Sequence, residues 1–231
     1  MKLAQNTALL PITREGMGNL SLVLAWDDKH LALIDAGLPG QADELIQAIA
    51  DEGFRAEDLT HLIITHQDWD HIGCVADLIK LAPNLKIVAH VDEAPYLDGR
   101  KTPIKLAAGL ENYDALPQER RGVIDLWKDM YENTPIAVTE QVQDGQVLPI
   151  CGGIEIVHVP GHTPGHIAAY LQQGRIIVCG DAANINGVQI VGANPIYTQD
   201  LALADKSLEK IKGYDLSGLV AYHTGFLPLE K

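Results

Sequence analysis

Short apolar runs and amphipathic segments alternate along the N-terminal part of the chain. Residues 40–54 and 72–81 carry apolar side chains at helical spacing, and Pro83 ends the second of these patterns. Apolar runs bounded by polar turns predict strands at 20–26, 31–34, 62–64 and 86–90. This part of the chain is therefore expected to mix strands with helices.

The pattern changes between residues 95 and 139, where charges, prolines and scattered aromatics replace the strand rhythm. An amphipathic helix is predicted over 118–132. The segment is too small to hold its own core, so we expect a helical insertion at a cleft rather than an independent domain. Its aromatic side chains either set substrate specificity or only pack beneath this cover; they are Tyr96, Tyr113, Trp127 and Tyr131.

The C-terminal half returns to apolar runs. Strands are predicted at 154–159, 167–171, 175–179 and 218–222, and a helix is predicted over 201–212. Strands and helices thus occur in two similar groups along the chain, without the strict strand–helix alternation of a βαβ fold. Two packed sheets with helices outside fit that order better than one doubly wound sheet. A chain of 231 residues suits one such domain, spanning 1–231 with its insertion.

Composition and charge narrow the classes of partner. Apolar residues make up 47% of the chain, yet no apolar run approaches the length of a bilayer-spanning helix. The first residues lack the basic patch and long apolar core of a secretory signal, so we expect cytoplasmic residence. A net charge of −14 would repel phosphate backbones and anionic membranes, so we expect a small-molecule substrate, no nucleic acid and no membrane. The pattern carries no information on oligomeric state.

The cysteines predict no disulfide framework. The chain has three, an odd number, and each lies within an apolar stretch. We expect Cys74, Cys151 and Cys179 to be buried free thiols.

Candidate metal ligands are concentrated between the predicted strand at 62–64 and the helix that follows. His66, Asp68, Asp70 and His71 all fall in this one turn. Such a loop can aim several side chains at one point. A polar loop whose aspartate caps the next helix is the simpler alternative, and Asp70 alone could do that. That alternative leaves the flanking histidines unexplained, so a metal site is favoured.

Three more candidate ligands follow apolar strands elsewhere in the chain. His162 lies in a turn rich in proline and glycine, Asp181 follows the run at 175–179, and His223 follows the last predicted strand. Each is a weak signal alone. Together with the first cluster they supply the mixed imidazole and carboxylate set that zinc, iron or manganese accepts.

These motifs, in this order, resemble the metallo-β-lactamase-fold superfamily, an αββα sandwich. The resemblance implies one metal on His66, Asp68 and His162, a second on Asp70, His71 and His223, and Asp181 bridging them. It also implies that Asp35, in the segment 33–37, and His166 orient the ligands. For His166, a solvent-facing turn histidine is the alternative.

One residue departs from the family's usual pattern, because Asp68 stands where that pattern has a histidine. A carboxylate oxygen there weakens the preference for zinc and improves tolerance of iron or manganese. The side chain could also point away and leave the first site incomplete. We expect two divalent ions, with zinc first and iron or manganese as alternatives.

The resemblance and the ligand set together predict a metal-dependent hydrolase. A metal-bound hydroxide would attack an ester, lactone, thioester or lactam carbonyl, and Asp70 would carry a proton toward the leaving group. Lactonase- and esterase-like reactions are preferred, since we expect no additional C-terminal helical domain of the glyoxalase II type. An iron-dependent oxidoreductase, suggested by Asp68, and a non-catalytic metal-binding protein are the alternatives.

Overall fold

The computed structural model describes residues 1–14 and 18–229. Its strands form two large sheets and a two-stranded hairpin, and helices connect many of the strands along the chain. The α-helices are α1 (Ala42–Asp51), α2 (Trp69–Ile72), α3 (Val75–Leu81), α4 (Ala94–Leu97), α5 (Ile104–Glu111), α6 (Gln118–Asn133) and α7 (Leu201–Lys212). Short 3-10 turns occur at Ala56–Asp58 and Tyr113–Ala115. None of the helices described is long and apolar enough to cross a bilayer.

The first sheet has its seven strands in chain order. They are β1 (Lys2–Ala4), β2 (Thr7–Arg14), β3 (Gly18–Trp26), β4 (Leu31–Ile34), β5 (His61–Ile63), β6 (Lys86–His90) and β7 (Glu140–Val142). Pairing is antiparallel from β1 to β4 and parallel from β4 to β7. The parallel strands therefore end on the same edge, where the loops that follow them meet.

The second sheet has six strands in the order β15-β14-β11-β10-β9-β8. They are β8 (Val147–Leu148), β9 (Ile154–His158), β10 (Ile167–Leu171), β11 (Ile176–Val178), β14 (Gly218–Ala221) and β15 (Gly225–Pro228). Only β11 and β14 pair in parallel among the strands of this sheet described here. A separate hairpin consists of β12 (Ala183–Asn186) and β13 (Gln189–Gly192).

The core forms in three layers, because alternate residues of each strand face opposite sides. Between the sheets, Ile34 and Ile63 of the first pack with Ile156 and Val178 of the second. On the outer face of the first sheet, strand residues pack against α1 and α3. On the outer face of the second, they pack against α7. The order helix, sheet, sheet, helix confirms the predicted αββα sandwich.

Most predicted elements are present, with small differences at their ends. The strands at 86–90 and 167–171 and the helix at 201–212 coincide with β6, β10 and α7. The helix predicted over 72–81 starts later, at Val75, because helical hydrogen bonding is interrupted at Gly73 and Cys74. There the two backbone amides donate to the carbonyl oxygens of Gly37 and Ala36 instead of continuing a helix. The elements that were not predicted are strands β1, β2, β7, β8 and β15, helices α2, α4 and α5, and the β12–β13 hairpin. All three cysteines are buried free thiols, as expected.

Gly73 allows the loop before it to lie directly on the segment that follows β4. A methyl group at this position would overlap the backbone of Leu38 and Pro39. The backbone cannot yield as a flexible side chain would, so even alanine must displace the turn.

We expect Gly73→Ala to lower the free energy of unfolding by about 2–3 kcal/mol, as overpacking of a tight site does. Urea unfolding followed by circular dichroism measures this change. Gly122→Ala is the matched control, because a methyl group there meets nothing within 4 Å on an exposed face of α6. That control should be neutral or stabilising by up to about 1 kcal/mol. Equal stability of the Gly73 variant and wild type would contradict the packing argument.

Candidate metal centre

The predicted ligands meet at one end of the sandwich, on the connections that follow four strands, and Asp70 and His71 lie in the short helix α2. His66, Asp68, Asp70 and His71 follow β5, and His162 follows β9. Asp181 follows β11 and His223 follows β14. Both sheets therefore contribute side chains to the same place, and the donor atoms fall into two groups there.

The second of the predicted groups has the spacing of a metal site. His223 Nε2 lies 3.4 Å from both Asp70 Oδ2 and Asp181 Oδ1. His71 Nε2 lies 3.3 Å from the same Asp181 oxygen and 3.9 Å from Asp70 Oδ2. Two donor atoms that bind one zinc at about 2.1 Å in tetrahedral geometry lie about 3.4 Å apart. These four side chains therefore fit a single tetrahedral ion.

Hydrogen bonding at His71 supports the same conclusion. Its Nδ1 lies 2.8 Å from Asp35 Oδ2, so this nitrogen donates to a carboxylate. The opposite nitrogen, Nε2, is buried and has no hydrogen-bond partner within the part of the chain described, and neither does Asp181 Oδ1. A buried imidazole nitrogen and a carboxylate oxygen that face each other 3.3 Å apart are suited to share one cation. The residues present thus fit the metal that the ligand set implies.

The first group is closer packed and hydrogen-bonded. Asp68 Oδ2 lies 3.1 Å from His66 Nε2 and 2.9 Å from His162 Nε2. The Asp68 side chain therefore turns into the group, not away from it. The ammonium of Lys105, at the start of α5, also donates to this oxygen and lies 3.5 Å from His162 Nε2. Sequence reasoning did not identify Lys105, which sits within the insertion and outside every motif.

Asp181 connects the two groups. Its Oδ1 faces His71 and His223, while its Oδ2 lies 3.6 Å from His162 Nε2. This orientation is the one that a bridging carboxylate needs. The structure thus brings all seven predicted ligands together, and their binding of metal stays a prediction.

The pKa values of the three carboxylates of the centre shift in different directions. Burial raises the pKa of each, but imidazoles of His66 and His162 hold that of Asp68 well below its usual range. His71 and His223 do the same for the pKa of Asp181. The pKa of Asp70 is instead raised, first by burial and then by the charges of Asp181 and Asp68. Asp70 is therefore the carboxylate that accepts a proton most readily.

The two residues predicted to support the ligands are both buried. Asp35 accepts from the backbone amide and hydroxyl of Thr65, at 2.8 and 3.0 Å, besides contacting His71. His166 is 0% exposed, so the alternative of a solvent-facing turn histidine is wrong. Its Nε2 accepts from the backbone amide of Asp181 at 3.2 Å. His166 thus positions Asp181 through the backbone and not through another imidazole.

Glu93, just after β6, joins the two ligand loops and was not predicted from the sequence. Its carboxylate accepts from the backbone amide of Gln67 at 2.8 Å and from that of Gly165 at 2.9 Å. The Gln67 side chain donates to it as well. Gln67 lies between His66 and Asp68, so Glu93 holds the loop of the first sheet against that of the second. An isolated glutamate in sequence gives no sign of such a role.

The helical segment at 95–139 packs against the loop after β5. The Tyr131 hydroxyl donates to the backbone oxygen of Gln67 at 2.8 Å. The backbone amide of Ile104 donates to the side-chain oxygen of Gln67 at 2.8 Å. Trp127 packs on Trp69 with ring centroids 5.8 Å apart. The segment therefore borders the centre. The other aromatics contact charged side chains of their own segment, Tyr96 with Lys101 and Tyr113 with Asp125.

Comparison with known proteins agrees with this geometry. The model of the metallo-beta-lactamase superfamily matches residues 13–223, and the chain belongs to that superfamily. It is 28% identical to the "Probable metallo-hydrolase YflN" of Bacillus subtilis over 83% of this chain and 74% of that one. It is 30% identical to the hydroxyacylglutathione hydrolase GloC of Haemophilus influenzae over 79% of this chain and 74% of that one. A metallo-beta-lactamase family protein of Thermus thermophilus shares the fold, with a TM-score of 0.76 at 22% identity, covering 98% of this chain and 76% of that one.

The buried Glu93 carboxyl predicts a pH dependence of stability. Burial raises its pKa from 4.5 to about 7, against hydrogen bonds from Gln67 that lower it. The folded state then holds a proton that the unfolded state has lost, so this contribution is complete below about pH 4.5 and is lost as pH rises to about 7. Relative to Glu93→Gln, the free energy of unfolding of wild type should fall by about 3 kcal/mol across that window.

Urea unfolding of both metal-free proteins at a series of pH values measures this difference. Other titrating groups are common to the two proteins and cancel. A difference that is flat, or that rises with pH, would show that Glu93 is ionised in the folded protein throughout.

Proposed function

We propose that this protein is a metal-dependent hydrolase that cleaves a carbonyl substrate of the ester, lactone, thioester or lactam type. Membership of a metallo-hydrolase superfamily and a metal-binding set of histidines and aspartates support hydrolysis in general. The observation that carries the proposal is the buried pair His71 Nε2 and Asp181 Oδ1, which face each other 3.3 Å apart without hydrogen-bond partners among the described residues.

A divalent metal bound there would lower the pKa of a water molecule and polarise the carbonyl group. The side chains divide the remaining tasks. Asp35 holds His71 in the tautomer that presents Nε2 to the centre. Asp70, whose pKa burial raises, is the group suited to take a proton from the nucleophile and pass it to the leaving group. Its backbone oxygen accepts from the Tyr222 hydroxyl at 2.5 Å, which fixes its position.

We propose that part of the substrate lies in a groove formed by the residues on either side of His162. It has a volume of about 550 Å³ and is lined on one side by Gly161, Thr163 and Pro164 and on the other by residues 198–201 and Leu203. Nearby Ile196 and Tyr197 are largely exposed. An acyl or thiol-linked chain of moderate size suits this mixed surface. The name of the relative GloC, a hydroxyacylglutathione hydrolase, supports including thioesters in the substrate class.

The oxidoreductase alternative depends on Asp68 as a ligand that favours iron. In the structure the Asp68 carboxylate is paired with Lys105, which gives no observation in favour of that alternative. The net charge of −14 supports a small-molecule substrate over a nucleic acid.

We expect His71→Ala to reduce kcat/KM for any hydrolysed substrate by at least about 10³-fold, because it removes a ligand of the better-formed donor group. A panel of p-nitrophenyl esters, thioesters and lactones provides the assay, and chelation should abolish the same turnover. His30→Ala is the matched control, since His30 lies before β4, at the opposite end of the sheet. Circular dichroism checks folding. Full turnover by a folded His71 variant would refute the assignment.

A further inference from the structure

The two donor groups differ in a way that the resemblance to other family members does not predict. In the group of Asp70, His71, Asp181 and His223, the spacings of 3.3–3.9 Å leave room for an ion at the centre. In the group of His66, Asp68 and His162, the shortest spacings are 2.9 and 3.1 Å, and an ammonium is already present. The group of His66, Asp68 and His162 therefore has the geometry of a hydrogen-bonded cluster around one oxygen of Asp68.

Lys105 is held in this position by its surroundings. The backbone amide of the preceding residue, Ile104, donates to the side chain of Gln67, which lies between His66 and Asp68. The ammonium also lies 5.1 Å from the centroid of the Tyr197 ring. The side chain of Lys105 is only 29% exposed and that of Asp68 is 4% exposed, so solvent screens the pair little. The Lys105–Asp68 ion pair is therefore largely buried and held by neighbouring residues, unlike an exposed surface ion pair.

His66 Nδ1 lies 3.0 Å from Thr65 Oγ1, but the outer nitrogens of His71 and His162 differ. His71 Nδ1 has the Asp35 carboxylate as its partner, as an imidazole ligand requires. His162 Nδ1 is buried and has no hydrogen-bond partner in the described part of the chain. Nothing therefore fixes His162 in the tautomer that would present its Nε2 lone pair to a metal.

Electrostatic repulsion leads to the same assignment, because the Lys105 ammonium already contacts Asp68 within the group of His66, Asp68 and His162. A second divalent ion in the first group would have to displace Lys105 from Asp68 or lie within a few ångströms of its positive charge. Either arrangement weakens its binding.

We propose that the Lys105 ammonium takes the place of a metal ion in the group of His66, Asp68 and His162. The protein then binds one divalent ion tightly, at Asp70, His71, Asp181 and His223, and a second only weakly. This inference rests on the metal dependence in the proposed function and deepens it by assigning the two groups unequal affinities.

Metal counting tests the proposal directly. Wild type and Lys105→Met are loaded with zinc, dialysed against metal-free buffer and analysed by inductively coupled plasma mass spectrometry. We expect about one zinc per chain in wild type and about two in the variant, because the neutral side chain removes a competing cation. Titration with Co²⁺, followed by visible absorption, should show the second equivalent binding at least about tenfold more tightly in the variant.

Three further variants make the count specific. Lys105→Arg keeps the positive charge and should stay near one zinc, whereas Lys105→Gln is a second neutral variant should the methionine variant fail to fold. Lys101→Met is the matched control, because Lys101 contacts Tyr96 in the same segment and not a candidate ligand. Two tightly retained ions in wild type, or a count of one in both neutral variants, would overturn the proposal.

Turnover of the substrate panel is measured on the same samples. Absence of turnover with one zinc bound would count against the proposed hydrolase and leave the metal assignment standing. Turnover with two tightly bound ions in wild type would do the reverse.

Discussion

The structure depends on burying three carboxylates, Asp68, Asp70 and Asp181, next to one another at the end of the sandwich. Buried anions repel one another and lose their hydration, so they are tolerated only where cations and hydrogen-bond donors surround them. The imidazoles of His66, His71, His162 and His223 and the ammonium of Lys105 meet that demand in the described structure. The connections around the centre position these donors, and the strands of the two sheets fix where those connections lie.

The fold meets this constraint by dividing the ligands between its halves. The loop after β5 and helix α2 present four of them, and the loops after β9, β11 and β14 present the others. Glu93 ties the first loop to the turn at Gly165, while Asp35 ties Thr65 to His71. The helical segment at 95–139 then adds a charge and an aromatic cover without supplying a predicted ligand. The frame that holds the metal site is thus separate from the part that modifies it.

How far the sequence predicts this arrangement depends on whether a residue belongs to a local pattern. The seven predicted ligands could be recognised because polar side chains follow apolar runs in short, ordered motifs. Lys105 and Glu93 could not, since each acts across 26–72 residues of chain and stands alone among ordinary surface residues. Strand β2 escaped prediction because Pro11 is untypical of strands. It is tolerated there because β1 pairs only with the first residues of β2.

The division of the candidate ligands between the two sheets also bears on how long the protein survives in a cell. Since ligands come from both halves of the chain, an ion bound between them opposes any opening of one sheet from the other. Occupancy then adds to the free energy of the closed form in proportion to the logarithm of free metal. A protease acts on opened chains, so the lifetime of this protein should follow the metal supply of its surroundings, even when no substrate is present.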